Sequence, residues 1–245
     1  ELYRENFAAA ETAATNAMNS GLANLTTAAQ YNDAWYGENH PEAFFELVFD
    51  PVLENVGPNN AMFSVASLVT GAWGDLAATP DLLAQFETGD VRRDQFYLAS
   101  NGLEYQTQWT GSAGSNNIDA TGVPDVSSTW SDNVPIIRYA EALLIRAEAR
   151  LRGGFGDGAT ADINTLRTNR GLPTVLSVNM ASIEKERRCE LNYEGHRWFD
   201  LKRMGSDVNK PVQGRVISYS DFRLLAPLPQ AQVDLNPNMQ QNPGY

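Results

Sequence analysis

VPIIRYAEALLIRAEARLRGG, residues 134–154, sets the architecture of the chain. Ala140, Leu143, Leu144, Ala147 and Leu151 recur at three- and four-residue steps, so they form one apolar stripe of a helix. Gly153 and Gly154 stop it. A second helix is predicted over ATADINTLRTNRGLP (159–173), with Ile163 and Leu166 turned inward and Gly171 and Pro173 closing it. Two consecutive helices, the first rich in small residues, predict an antiparallel hairpin of the tetratricopeptide kind.

Downstream, SIEKERRCELNYEG and HRWFDLKRMG (182–205) read as a long helix that breaks or kinks at Gly195. APLPQAQVDLNPNMQQNPGY (226–245) carries too many prolines for a helix or a central strand and predicts an extended strap. Upstream, YRENFAAAETAATNAMNSG (3–21) predicts an amphipathic helix with Phe7, Ala10, Ala14, Ala17 and Met18 on its apolar side. Between about Tyr31 and Trp130 the pattern is broken. AFFELVF, VRRDQFYL and YQTQWT suggest strands, TPDLLAQFETGD suggests a short helix with Thr79 as N-cap and Pro80 at its first position, and TGSAGSNNIDATG suggests a surface loop. The chain divides into a helix of the body (1–30), a loop-rich subdomain (31–133) and a helical body with strap (134–245). The fold class is mainly α: a helical-repeat body, a loop-rich subdomain of short strands, and a C-terminal strap.

The 245 residues carry 18 Lys and Arg against 30 Asp and Glu, a net charge of −12. That surface repels phosphate backbones and offers no basic stripe, which argues against nucleic acid as a partner. No run approaches the roughly 18 apolar residues of a membrane helix. A lone Cys189 permits no internal disulfide or thiolate zinc cluster, and His40 and His196 are too few for most histidine metal sites. No cofactor motif is present: G-x-S-x-G, the P-loop and H-E-x-x-H are all missing.

PIIRYAEALLIRAEA, ERRCELNYEGHRWFDLKR, PLPQ and the terminal NPNMQQNPGY, with FETGDVRR upstream, resemble the SusD/RagB family of outer-membrane nutrient-binding lipoproteins. One departure is Asn169–Arg170 in LRTNRGL, where the family more often shows an Arg-Ala pair; only a local packing contact is expected to change. The family's lipid-bearing N-terminal Cys and first helical repeats have no counterpart here, and members usually run to roughly twice this length. The resemblance implies a binding protein rather than an enzyme. It would be lipid-anchored on the outer face of the outer membrane, would cap a SusC-like TonB-dependent transporter, and would bind glycans or other nutrients. The alternative is a tetratricopeptide-like adaptor for protein partners only.

Two questions follow from the residues. The first is whether Glu190, Glu194, Asp200 and His196 in ELNYEGHRWFDLKR could be catalytic, as in a glycoside hydrolase. Glu186, Glu190 and Glu194 stand at i, i+4 steps beside Arg187 and Arg197, which is ion-pair spacing. Neighbouring guanidiniums depress a carboxyl pKa, whereas a glycosidase acid needs it raised. The expectation is a structural network. The second is where a ligand would sit. Sugars pack C–H faces on aromatic rings and present hydroxyls to polar side chains. Trp73 beside Asp75 in a Gly-rich loop, Trp109, Trp130, Trp35 and Tyr36 are the candidate ligand-binding residues, all within 31–133. Finally, the stripe of the first helix needs an apolar partner. The expectation is that this partner lies upstream, the chain being the C-terminal part of a longer protein.

Overall fold

The computed structural model describes residues 1–35, 39–49, 53, 74–109 and 133–245. They form two compact units, Glu1–Asn192 and Tyr193–Tyr245. In the first, α1 (Phe7–Met18) follows a 3-10 turn and is capped by Asn6, whose side chain accepts from the Ala9 amide. After α2 (Tyr31–Ala34) come β1 (Ala43–Leu47) and α3 (Pro80–Leu83), then β2 (Phe96–Leu98) and β3 (Glu104–Gln106). β4 (Val134–Arg138) runs directly into α4 (Tyr139–Gly153), followed by α5 (Gly158–Thr168) and α6 (Met180–Glu190).

The stripe predicted for α4 is the core. Ala140, Leu143, Leu144 and Ala147 are fully buried with Ile163 and Leu166 of α5 and Ile183 of α6. α4 and α5 pack as a hairpin, and Gly154 takes the left-handed conformation that ends α4. α6 opens with a capping box, Asn179 and Ser182 each satisfying the other's backbone amide.

The apolar side of α1 lies on α4. Ala10 is buried with Leu2 and Ala149, and Ala14 and Met18 join the main core. Ala10, Ala14 and Met18 of the predicted stripe are thus buried within the described residues, alanines on both helices letting them pack, whereas Phe7 and Ala17 stay half-buried.

Other expectations change at their edges. VRRDQFYL is not one strand, because Val91–Gln95 forms a 3-10 turn capped by Asp90 before β2 begins. α3 spans only four residues, and Thr79 makes no capping hydrogen bond from its side chain. The helix through Cys189 ends at Glu190, not at Gly195; Tyr193 and Gly195 have φ of 58° and 83°, and α7 (Arg197–Arg203) starts beyond them. Glu194 thus leaves the helical register of Glu186 and Glu190.

The second unit holds α7 and a hairpin of β5 (Val208–Lys210) and β6 (Arg215–Ile217) turning at Gly214. It ends with α8 (Gln230–Leu235). The strap is therefore not wholly extended. Pro229 sits at the N-cap of α8, where a missing N–H costs nothing, and Pro237 lies beyond its end. Leu201 is buried in α7, whereas Trp198 and Phe199 are exposed. None of the described helices is long and apolar enough to cross a membrane.

Cys189 lies in α6, 1% exposed, and burial pushes its thiol up to about 12. A thiolate is the reactive form. Ellman's reagent is expected to leave the folded protein unlabelled over an hour at pH 8 and to label it stoichiometrically in denaturant. Rapid labelling of the native protein would contradict this placement.

Candidate functional site

Glu190 closes α6 at the centre of a buried ion cluster. Its carboxylate accepts from Arg170 (2.7 and 3.0 Å), Arg138 (2.7 Å) and Arg92 (3.2 Å). Arg138 and Arg170 also donate to Glu42, at 3.0 and 2.8 Å, and Glu42 accepts from both the amide and the hydroxyl of Thr26. Arg92 forks onto Asp90 and reaches Glu186, which Arg167 ties on to Glu87. Four carboxylates (Glu42, Asp90, Glu186, Glu190) thus face four guanidiniums (Arg92, Arg138, Arg167, Arg170), all buried.

The local backbone delivers these groups. The antiparallel β1–β4 ladder pairs Ala43 with Arg138, and the Tyr139 amide donates to the Glu42 carbonyl. Gly171 takes φ of +80°, and a side chain there would press to within 2.6 Å of the Gly89 carbonyl. That close approach lets Val91 donate to the Arg170 carbonyl, bringing the segments of Arg92 and Arg170 together. Arg170, expected to matter only for packing, is a hub of the cluster.

Burial alone would push the carboxyls of Glu190 and Glu42 up. The Arg170 and Arg138 guanidiniums outweigh it and hold both below the usual range. Such a carboxyl has the wrong pKa for a glycosidase acid. Asp200 is engaged by Arg203 at 2.9 Å in the second unit. This part of ELNYEGHRWFDLKR is structural.

Against the cluster lies an aromatic group. Trp35 follows α2, and its ring meets His40 edge-on at 4.5 Å and Trp109 at 5.8 Å. The Arg138 guanidinium lies over Trp35 at 5.4 Å, and that of Arg170 over Tyr31 at 4.3 Å. The Glu42 amide donates to His40 Nδ1 (3.2 Å), while Glu46 accepts from the His40 amide. Burial lowers the imidazole pKa to about 4, despite the nearby Glu42 charge. His40 is therefore neutral at pH 7, and with Nδ1 accepting, its proton sits on Nε2.

Of the sequence-derived candidates, the structure brings Trp35 and Trp109 together, but at 8% and 4% exposure. Neither is an open stacking platform. Asp75 is exposed and distant from them in sequence. Tyr36, Trp73 and Trp130 lie outside the described residues. His40 and Gln95 were not candidates. A lone histidine and a glutamine in strand-like sequence carry no periodic signal, and only their burial draws attention. Among the described residues no group of His, Cys, Asp and Glu is arranged to hold a metal.

The SusD family model matches residues 84–245. Among curated proteins, SusD-like protein P38 of Formosa agariphila is 34% identical over 135 residues, half of this chain and 26% of that protein. Starch-binding protein SusD of Bacteroides thetaiotaomicron is 36% identical over 138 residues, 53% of this chain and 25% of that protein. A solved SusD superfamily protein from Bacteroides thetaiotaomicron superposes with a TM-score of 0.76 at 26% identity, over 97% of this chain and 56% of that one. The chain thus spans little more than half of the solved relative, and its match covers about a quarter of each curated one.

Proposed function

We propose that this chain, which belongs to the SusD family, captures a glycan at the outer face of the outer membrane and hands it to a SusC-like TonB-dependent transporter. The observation that carries the reading is the family match over residues 84–245, joined by a relative named for binding starch. The lipid anchor and the transporter contact belong to the whole protein in this reading. So does the tetratricopeptide-like stacking of the α4–α5 hairpin. Capture without chemistry agrees with a carboxylate cluster whose members are neutralised by arginines. Ligand contact is assigned to the 31–133 segment, with Trp73 and Asp75 as the first residues to test and Trp130 and Tyr36 after them.

Modest affinity suits the role. A ring contact covering about 100 Å² of apolar area stabilises by roughly 2.5 kcal/mol, and three such contacts by about 7–8. Lost translational and rotational freedom costs at least about 4 kcal/mol, leaving affinities near millimolar before hydrogen bonds are added.

Affinity electrophoresis across a panel of polysaccharide gels tests the reading. Retardation by at least one glycan, with no new reducing ends after prolonged incubation, is expected. Retardation by none would refute it, and released reducing ends would refute the non-catalytic part. With a glycan in hand, Trp73→Ala is expected to weaken binding about tenfold or more, ~1.4 kcal/mol, with the melting temperature little changed. A large loss of melting temperature would place Trp73 in the core and remove it from the site.

A further inference from the structure

The aromatic group beside Glu42 is unusual in its hydrogen bonding. Trp35 Nε1, Trp109 Nε1, His40 Nε2, Gln95 Nε2 and Gln108 Nε2 are buried and have no hydrogen-bond partner among the described residues. Each of these residues is at least nine-tenths buried. Ring contacts and short stretches of backbone link the residues that carry them. Trp35 touches both His40 and Trp109, Gln108 precedes Trp109, and Gln95 pairs through its carbonyl with Thr107. Buried polar groups in folded proteins are nearly always satisfied, so a cluster of five orphaned nitrogens marks a missing partner.

The chemistry of that partner can be read from the balance of donors and acceptors. The two indoles can only donate. The neutral imidazole with Nδ1 accepting also donates from Nε2, and the two amide nitrogens donate as well. Against five donors stand two orphaned acceptors, Gln95 Oε1 and Asn32 Oδ1. Sugar hydroxyls return a hydrogen for each one they receive, so they suit a mixed set. A carboxylate or sulfate ester only accepts, and bonds to a charged acceptor are the stronger kind.

The nearest charges do not forbid an anion. Glu42 is neutralised by Arg138 and Arg170, and the Arg138 guanidinium faces Trp35. Glu46, which accepts from the His40 amide, has its carboxyl raised by burial and so gives up its charge more readily than an exposed acid. The net charge of −12 acts over distances that salt screens beyond about 8 Å.

We infer that the buried N–H groups of Trp35, His40, Gln95, Gln108 and Trp109 form a recognition site for an oxyanion carried on a glycan, a uronate carboxylate or a sulfate ester. This rests on the glycan-binding reading and adds to it a preference for acidic over neutral chains.

Calorimetric titration with tri-galacturonate, a carrageenan-derived sulfated oligosaccharide, a neutral oligosaccharide of equal length and inorganic sulfate tests it. At least tenfold tighter binding of one acidic oligosaccharide than of the neutral one is expected, and which of the two wins identifies the oxyanion. Trp35→Phe and Trp109→Phe keep a ring and delete one N–H, so each should weaken acidic binding by about tenfold and neutral binding by much less. If a Phe variant fails to fold, the indole ¹H–¹⁵N signals of the unaltered protein still decide: two of them should move downfield with the acidic ligand only. Equal or tighter neutral binding, or indole signals that do not move, overturns the inference and leaves ordered water as the partner of these donors. Binding of inorganic sulfate with no gain from the attached sugar overturns the glycan part. Binding of no glycan at all on the gel panel refutes the proposed function itself.

Discussion

Replacing Glu190 by Gln is expected to lower the unfolding free energy by about 3–5 kcal/mol, the scale for breaking a buried ion pair from one side. Three guanidiniums converge on this carboxylate, and Arg92, Arg138 and Arg170 are all buried. Gln presents an amide NH₂ to at least one of them, so a favourable contact becomes a repulsive one in a medium of low dielectric. Urea melts of the two proteins measure the difference, and glycan affinity measured on the folded variant should stay nearly unchanged. Glu11→Gln is the control. Its partner Arg150 sits at 2.8 Å, but both side chains are about a quarter exposed, and such pairs contribute at most about 1 kcal/mol. A Glu190→Gln loss no larger than that of Glu11→Gln would mean that the cluster is not the brace described above.

The same cluster predicts a two-part acid sensitivity. His40 has a folded pKa of about 4 against 6.5 unfolded. Between those values the unfolded chain binds a proton that the folded one refuses, so stability falls as pH drops from 6.5 to 4. At about 1.4 kcal/mol per unit, the loss approaches ~3 kcal/mol. Glu42 and Glu190 are held below 4.5 in the folded state. Their stabilisation is complete above that value and is lost as pH falls below it, when the unfolded chain takes protons first. Urea midpoints measured from pH 7 to 3 should therefore decline in two stages, and His40→Gln should flatten the upper stage alone. A flat profile down to pH 4.5 in the unaltered protein would contradict the buried neutral imidazole.

The helices were legible in the sequence because a 3.6-residue period leaves a local trace. Leu143, Leu144, Ile163 and Leu166 could be assigned inward from spacing alone. The structural role of Glu186 and Glu190 was also legible, but for a partly mistaken reason. Helical spacing suggested neighbours such as Arg187 and Arg197, whereas the actual partners, Arg92, Arg138, Arg167 and Arg170, come from other segments. Pairing across 19 to 98 residues leaves no periodic mark. The candidate site was half legible. Composition pointed to the tryptophans, but nothing local to Trp35 or Trp109 indicates that the ring is covered, and the orphaned nitrogens emerge only in three dimensions. The helix α8 was missed because three prolines flank or precede it, and proline count is silent on the gap between them.

The arrangement of charges also bears on how the first unit assembles. Glu42, Asp90, Arg138, Arg170 and Glu190 arrive from five stretches of chain spread over nearly 150 positions, and each is tolerable in the interior only when its counterparts are present. A half-formed unit would strand at least one charge without water or a partner, so intermediates lacking any one stretch are penalised. The expected kinetics are slow, single-exponential closure dominated by distant contacts, with few stable partial states.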